Sequence, residues 1–319
     1  MSSDQPYVRP DVAAFLAFLN AQPGPKMHEL EPALARQVMV AMGEVAELPL
    51  GELAVIRDIE CPGPAGPIKL RLFDARETRG AGPVMVFFHG GGWVIGDLDT
   101  HAPYCAEVAR QLDLPVIAVD YRLAPEHPFP AASEDCEAAA RWVASSPAEL
   151  GRQVTGLITS GDSAGGSLTV TTTMALRDHP ADVPVILQHP IYPAVSEHFE
   201  WASMVTFADG YLLTREAMDY FYGAYAPDGD DYRGAPLKFD QTGMPPSLVT
   251  TASLDPLSDQ GIAYVEALKA AGVRVEHRSA DGNIHGHINV RMGVPSSQED
   301  VTGNMTALKA MLTETMVTA

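Results

Sequence analysis

From Val55 onward the chain alternates short apolar runs with longer amphipathic ones. Ile68, Leu70 and Leu72 alternate with Lys69 and Arg71, the two-residue period of a strand with one face in water. Residues 84–88 and 116–119 are apolar without a break, as strands covered on both faces are. Residues 157–159, 183–187, 247–251 and 273–277 continue the series, and 101–112, 131–145, 164–178 and 258–271 read as helices between them. Strands alternating with helices predict an α/β fold, a mostly parallel sheet with helices on both faces.

Two stretches depart from this rhythm. Residues 12–19 read as a first helix and, after the breaker Gln22-Pro23-Gly24-Pro25, residues 29–48 read as a second. There Leu30, Leu34, Val38, Val45 and Leu48 recur at the spacings of one helical face. Residues 191–240 are too long for a simple connection and hold Trp201, Phe207, Tyr211, Tyr220, Phe221, Tyr222 and Tyr225. They are expected to form an inserted cap, with a helix capped by Thr214 and starting at Arg215. The predicted organisation is residues 1–50 as amino-terminal cap helices, 51–190 and 241–319 as the α/β unit, and 191–240 as the inserted cap over the sheet's carboxyl edge.

Charge narrows the classes of partner. The chain carries 21 basic and 41 acidic residues, net −20. Such a surface repels phosphate backbones and anionic lipid, so neither nucleic acid nor a membrane is an expected partner. Only five of the basic residues are lysine, a composition also compatible with salt tolerance. No apolar run reaches the ~18 residues of a membrane span, and the first residues lack the basic and apolar regions of a secretory signal. Three cysteines, Cys61, Cys105 and Cys136, offer neither a disulfide framework nor metal-ligand spacing. A cytoplasmic protein without metal or organic cofactor is expected.

Candidate chemistry lies in the glycine-rich connections. Gly161-Asp162-Ser163-Ala164-Gly165 fits G-x-S-x-G between a predicted strand and a predicted helix, where a sharp turn raises the serine hydroxyl out of the sheet. His89-Gly90-Gly91-Gly92-Trp93 follows the strand at 84–88, and its glycines let backbone N–H groups approach a ligand. The amides of Gly90, Gly91 and Ala164 are the expected donors to a tetrahedral oxyanion. A phosphate loop is excluded by the absence of G-K-[ST]. The acid and base must follow Ser163 in that order. Asp255 falls at a strand's carboxyl end, whereas Asp259 falls in a helix's first turn, where the dipole accounts for it. Asp255 is the expected acid. His277 reads as a packed strand residue; His285 and His287, in a glycine-flanked loop, remain as candidates for the base, His285 first. Trp93, Trp201, Phe207 and Tyr211 are expected to line the substrate pocket.

At this point the chain resembles the hormone-sensitive-lipase family of esterases, the bacterial family IV carboxylesterases. Four blocks carry the resemblance: HGGGW at 89–93, YRLAPEHPFPAA at 121–132, GDSAGG at 161–166, and DPLSD at 255–259. It implies an α/β-hydrolase core under a helical cap, with Ser163 as nucleophile, Asp255 as acid and the glycine-followed His285 as base. It implies a small carboxylic ester as substrate, membership of the GDSAG subgroup and, commonly, a homodimer. Asp162 and Glu126 are expected to hold the nucleophile and oxyanion loops, with His89 and His287 beside them. His287 departs from the family's His-Gly-Phe and is expected to stand in for the aromatic ring as a neutral imidazole. An amidase or thioesterase would use the same apparatus, and a non-catalytic receptor of this superfamily would not need the full triad.

Overall fold

The computed structural model describes residues 6–197 and 200–318. Eight strands make one sheet: β1 (Val55–Gly63), β2 (Gly66–Asp74), β3 (Gly82–Phe88), β4 (Val116–Asp120), β5 (Val154–Asp162), β6 (Val185–Ile191), β7 (Ser247–Leu254) and β8 (Val275–Ile284). Their order is β1-β2-β4-β3-β5-β6-β7-β8. β2 runs antiparallel to β1 and β4, and every other pairing is parallel. The helices are α1 (Pro10–Asn20), α2 (Pro32–Ala46), α3 (Ala102–Leu112), α4 (Ala131–Ala144), α5 (Ala164–Asp178), α6 (Ala202–Thr206), α7 (Arg215–Tyr225), α8 (Ser258–Ala270) and α9 (Ser297–Thr318).

The unbroken apolar runs have the expected cause. Val84, Val86 and Phe88 of β3 point into a core shared with Ala139 and Val143 of α4 and Leu168 of α5. Met85 and Phe87 point the other way, into a core with Val108 and Leu112 of α3 and Val301, Leu308 and Leu312 of α9. Both faces are therefore dry.

Three elements differ from the sequence reading. β1 was not among the expected strands; it is an edge strand with most residues exposed or half-buried, so no clean alternation marks it. α9 was not expected either, although Val301, Met305, Leu308 and Leu312 are buried at helical spacing. β8 continues to Ile284, past the expected end at 277, through an irregularity in its pairing with β7. The expected insertion at 191–240 is divided. Val195, Tyr232, Leu237 and Phe239 pack with Val170 and Met174 of α5 and Tyr264 of α8, while α7 packs on Trp93 at the sheet's carboxyl end. Thr214 caps α7, its hydroxyl accepting from the Ala217 amide at 3.2 Å. Among the described residues no helix is long and apolar enough to cross a membrane.

Polar ties fix the amino-terminal helices above the sheet. Arg9 makes two bonds to the Asp300 carboxylate, 2.7 and 2.9 Å long. Glu47, just past α2, is buried against Arg291: the Arg291 Nε donates to Oε1 at 2.7 Å and its amide to Oε2 at 3.0 Å. Removing one member of such a pair strands the other charge away from water. Glu47→Gln is therefore expected to cost about 3–5 kcal/mol of stability, read as a lower urea midpoint at constant slope.

Candidate active site

The turn from β5 to α5 holds Ser163 at φ 56° and ψ −117°, a conformation that a non-glycine residue keeps only where its surroundings impose it. The crowding is measurable. A Cβ on Gly165 would lie 1.9 Å from the carbonyl oxygen of Phe88, and one on Gly161 would lie 2.4 Å from the same atom. Glycine is required at both by close approach. The turn sets Ser163 at the amino terminus of α5 with its amide bonded to Ile191 O at 2.9 Å.

Two further side chains complete a chain of hydrogen bonds. His285, one residue beyond β8, places Nε2 2.8 Å from Ser163 Oγ and Nδ1 2.7 Å from Asp255 Oδ2. Asp255, one residue beyond β7, is fully buried, and its Oδ1 accepts from the Leu257 amide at 2.8 Å. Asp259 is elsewhere engaged, accepting from the Ser203 amide at 2.8 Å.

The glycine loop is organised differently from expectation at one position. The Gly90 N–H donates to Asp162 Oδ1 at 2.8 Å, so it is not free for an oxyanion. Its carbonyl faces His89 Nδ1 at 2.8 Å. With Gly90 held at both ends, Gly91, Gly92 and Ala164 remain beside Ser163 in the wall of the cavity. His89 is buried and stacked on Tyr121 at 4.2 Å; burial and the neighbouring His101 push its pKa down to about 4, so it is neutral and donates through Nδ1.

Asp162 is buried between loops rather than facing the cavity alone. Burial by itself would raise its pKa, but His101 (3.2 Å from Oδ1), His285 and the Gly90 amide together hold it below the ordinary range. Glu126 does not touch the nucleophile loop. It is half exposed and pairs with Arg36 of α2, which draws its pKa down to about 2, while Arg36 also donates to Val94 O at 2.8 Å and Ala124 O at 3.1 Å. Its effect is to fasten α2 to the continuation of the glycine loop. His287 is fully buried, edge-on to Tyr192 at 5.3 Å, with Nδ1 3.0 Å from Ile284 O. Burial lowers its pKa, which keeps the ring neutral.

The cavity encloses about 1050 Å³ of empty space, counting the part open to solvent. Trp93 lines it; Trp201, Phe207 and Tyr211 do not. Phe207 and Tyr211 stack edge-on at 5.1 Å and pack with Val12, Phe15 and Leu16, fastening α1 to the cap. Trp201 packs against the core below α7. The lining is mostly aliphatic and sulfur-bearing instead, with Met27, Met39, Met42, Leu213, Met218 and Phe221.

Sequence reasoning missed three residues. Tyr192 follows β6 at φ 34°, lies 4.4 Å ring to ring from His285, and directs its hydroxyl to Asp162 Oδ2 at 3.4 Å. His101, before α3, meets Asp162 and, through Nε2 at 2.9 Å, the Asn289 side chain. Asn289 lines the cavity. None belongs to a glycine motif; only the position of Tyr192 at a strand's carboxyl end hinted at a role. Among the described residues no cluster of His, Cys, Asp and Glu is arranged to hold a metal ion.

A serine, an imidazole and a buried carboxylate joined at the carboxyl edge of a doubly covered sheet define a class of hydrolytic sites. Residues 85–289 match a family model described as the alpha/beta hydrolase fold. The carboxylic ester hydrolase LipN of Mycobacterium tuberculosis H37Rv is 38% identical over 81% of this chain and 70% of its own. The carboxylesterase NlhH of the same species is 38% identical over 77% of this chain and 79% of its own. The crystal structure of an α/β hydrolase enzyme from the metagenome of Lake Arreo, Spain, superposes with a TM-score of 0.91 at 34% identity, covering 96% of this chain and 99% of that one. The chain belongs to the α/β-hydrolase family, in its hormone-sensitive-lipase branch.

Proposed function

We propose that the protein is a serine carboxylesterase acting on short- to medium-chain esters, with Ser163 as nucleophile, His285 as base and Asp255 as acid. The observation that carries this reading is the Asp255–His285–Ser163 chain at 2.7 and 2.8 Å beside a largely apolar cavity. His285 Nε2 takes the hydroxyl proton as Oγ attacks the ester carbonyl, then returns it to the departing alcohol. Water repeats both steps on the acyl-enzyme. Asp255 keeps Nδ1 protonated and stabilises the imidazolium without accepting the proton. Charge growing on the carbonyl oxygen meets the N–H groups of Gly91, Gly92 and Ala164, such donors being worth about 3–4 kcal/mol each of barrier. All three cysteines are buried and free, which supports a cytoplasmic location; the family resemblance supports a homodimer.

Chain-length selectivity tests the reading. Each buried methylene contributes about 0.8 kcal/mol until space runs out. kcat/KM on p-nitrophenyl esters is expected to climb from acetate to butyrate or hexanoate and fall by palmitate. A continued rise to palmitate would require an open lipid groove and would reject the closed-cavity reading.

A further inference from the structure

His101 lies outside the glycine motifs and outside the four blocks of the family resemblance. It is nevertheless buried at the start of α3 and meets three segments of the site. Its Nε2 is 3.4 Å from the Gly90 amide nitrogen in the glycine loop, 3.2 Å from Asp162 Oδ1 in the nucleophile turn, and 2.9 Å from Asn289 Nδ2 in the turn after the base. The backbone amide of Asn289 closes that last turn on Gly286 O at 3.0 Å, and Gly286 directly follows His285. One ring atom is therefore shared by the glycine loop, the nucleophile turn and the turn that carries the base.

The other side of the ring is anchored separately. Thr100 Oγ1 donates to Asp97 O at 2.9 Å and accepts from the Asp97 amide at 2.9 Å, which leaves it one lone pair for a further donor. His101 Nδ1 lies 3.0 Å from that oxygen and supplies its proton there. Phe87 and His89 pack around the ring, with centres 6.0 and 5.6 Å away. Nε2 is thereby presented to the site, and it serves the junction in either protonation state. Unprotonated, it accepts from the Gly90 and Asn289 N–H groups; protonated, it donates to Asp162 Oδ1. A hydrocarbon side chain at this position can do neither.

We infer that His101 is a positioning residue for the reaction: it registers the glycine loop and the nucleophile turn against the turn that carries His285. This rests on ester hydrolysis at Ser163. His101 is absent from the cavity wall, so it acts through Gly90, Asp162 and Asn289 rather than on the substrate. Its effect falls on the transition state. An ester held by apolar walls tolerates a small shift between the loops, whereas hydroxyl attack and oxyanion stabilisation do not; a displacement of about 1 Å costs about a hundredfold in rate.

Two replacements of similar bulk separate positioning from packing. His101→Leu fills the space without a polar atom, and His101→Gln carries an amide end that can donate or accept at the reach of Nε2. On p-nitrophenyl butyrate, His101→Leu is expected to lower kcat about a hundredfold with KM within about threefold. Propyl trifluoromethyl ketone, which adds to Ser163 as a tetrahedral oxyanion, should lose affinity by a similar factor. Its inhibition constant does not depend on how much of the protein is folded, so partial misfolding cannot imitate the result. His101→Gln is expected to bring both quantities back to within about tenfold of wild type. Thr100→Val leaves the imidazole in place without its anchor, and is expected to move kcat and the inhibition constant together by about five- to tenfold, the size of one neutral hydrogen bond. An unchanged inhibition constant in His101→Leu would overturn the proposal, as would a loss confined to KM or a His101→Gln enzyme as impaired as His101→Leu. Should His101→Leu yield no folded protein, an unaltered Thr100→Val would overturn it as well. In all these cases turnover by the wild-type protein would leave the esterase reading standing, and a wild type that hydrolyses no ester would remove both.

Discussion

Ser163→Ala and His285→Ala are each expected to lower kcat on p-nitrophenyl butyrate by about six orders of magnitude, to a common floor set by binding and the oxyanion donors alone. The losses should not add in the double variant, because hydroxyl and imidazole act as one unit across 2.8 Å. His287→Phe is the contrasting change. That ring is buried, held neutral and engaged through Nδ1 with Ile284 O, so exchanging it for a hydrocarbon ring is expected to keep kcat within about tenfold. The measurement is single-site kinetics with circular dichroism to verify folding. An active His285→Ala beside a dead His287→Phe would transfer the base role to His287.

How far these sites could be read in advance depended on the kind of constraint behind each residue. The sheet was legible because strands covered on both faces demand apolar residues at every position, as Val84 to Phe88 do. β1 escaped because an edge strand exposed along most of its length imposes no such demand. The juxtaposition of Ser163, Asp255 and His285 was legible because each follows a strand at the same edge of the sheet, and the crowding at Phe88 O leaves glycine as its trace in the sequence. The pocket was not. Large rings in the segment at 201–225 looked like a lining, but Phe207 and Tyr211 serve to fasten α1, and the flexible methionines of the amino-terminal segment and α7 fill the space around the site. Tyr192, His101 and Asn289 share no spacing rule. They meet only because the ends of β6 and β8 and the start of α3 converge on Asp162 and the residues beside it. Gly90 illustrates the same limit at one atom: its amide belongs to Asp162, a partner 72 residues away that no local pattern discloses.

Asp255→Asn should separate the two carboxylates of the DPLSD block most sharply. The two oxygens of Asp255 have fixed and different partners: Oδ1 accepts from the Leu257 amide, and Oδ2 accepts from His285 Nδ1–H. An asparagine must keep its oxygen on the Leu257 amide, because the reverse would bury two donors face to face. Its NH2 group then faces Nδ1, which can accept only when unprotonated. The imidazole is driven into the tautomer with its proton on Nε2, pointing at Ser163 Oγ, and it can no longer take the hydroxyl proton. The expected loss is about four orders of magnitude in kcat with KM little changed, the size found where a triad tautomer is reversed in this way. Asp259 instead accepts from the Ser203 amide at the foot of α6, so Asp259→Asn should act through stability and leave kcat within about tenfold. Steady-state kinetics of both variants on p-nitrophenyl butyrate decide the matter, and a crippled Asp259→Asn beside an active Asp255→Asn would exchange their roles.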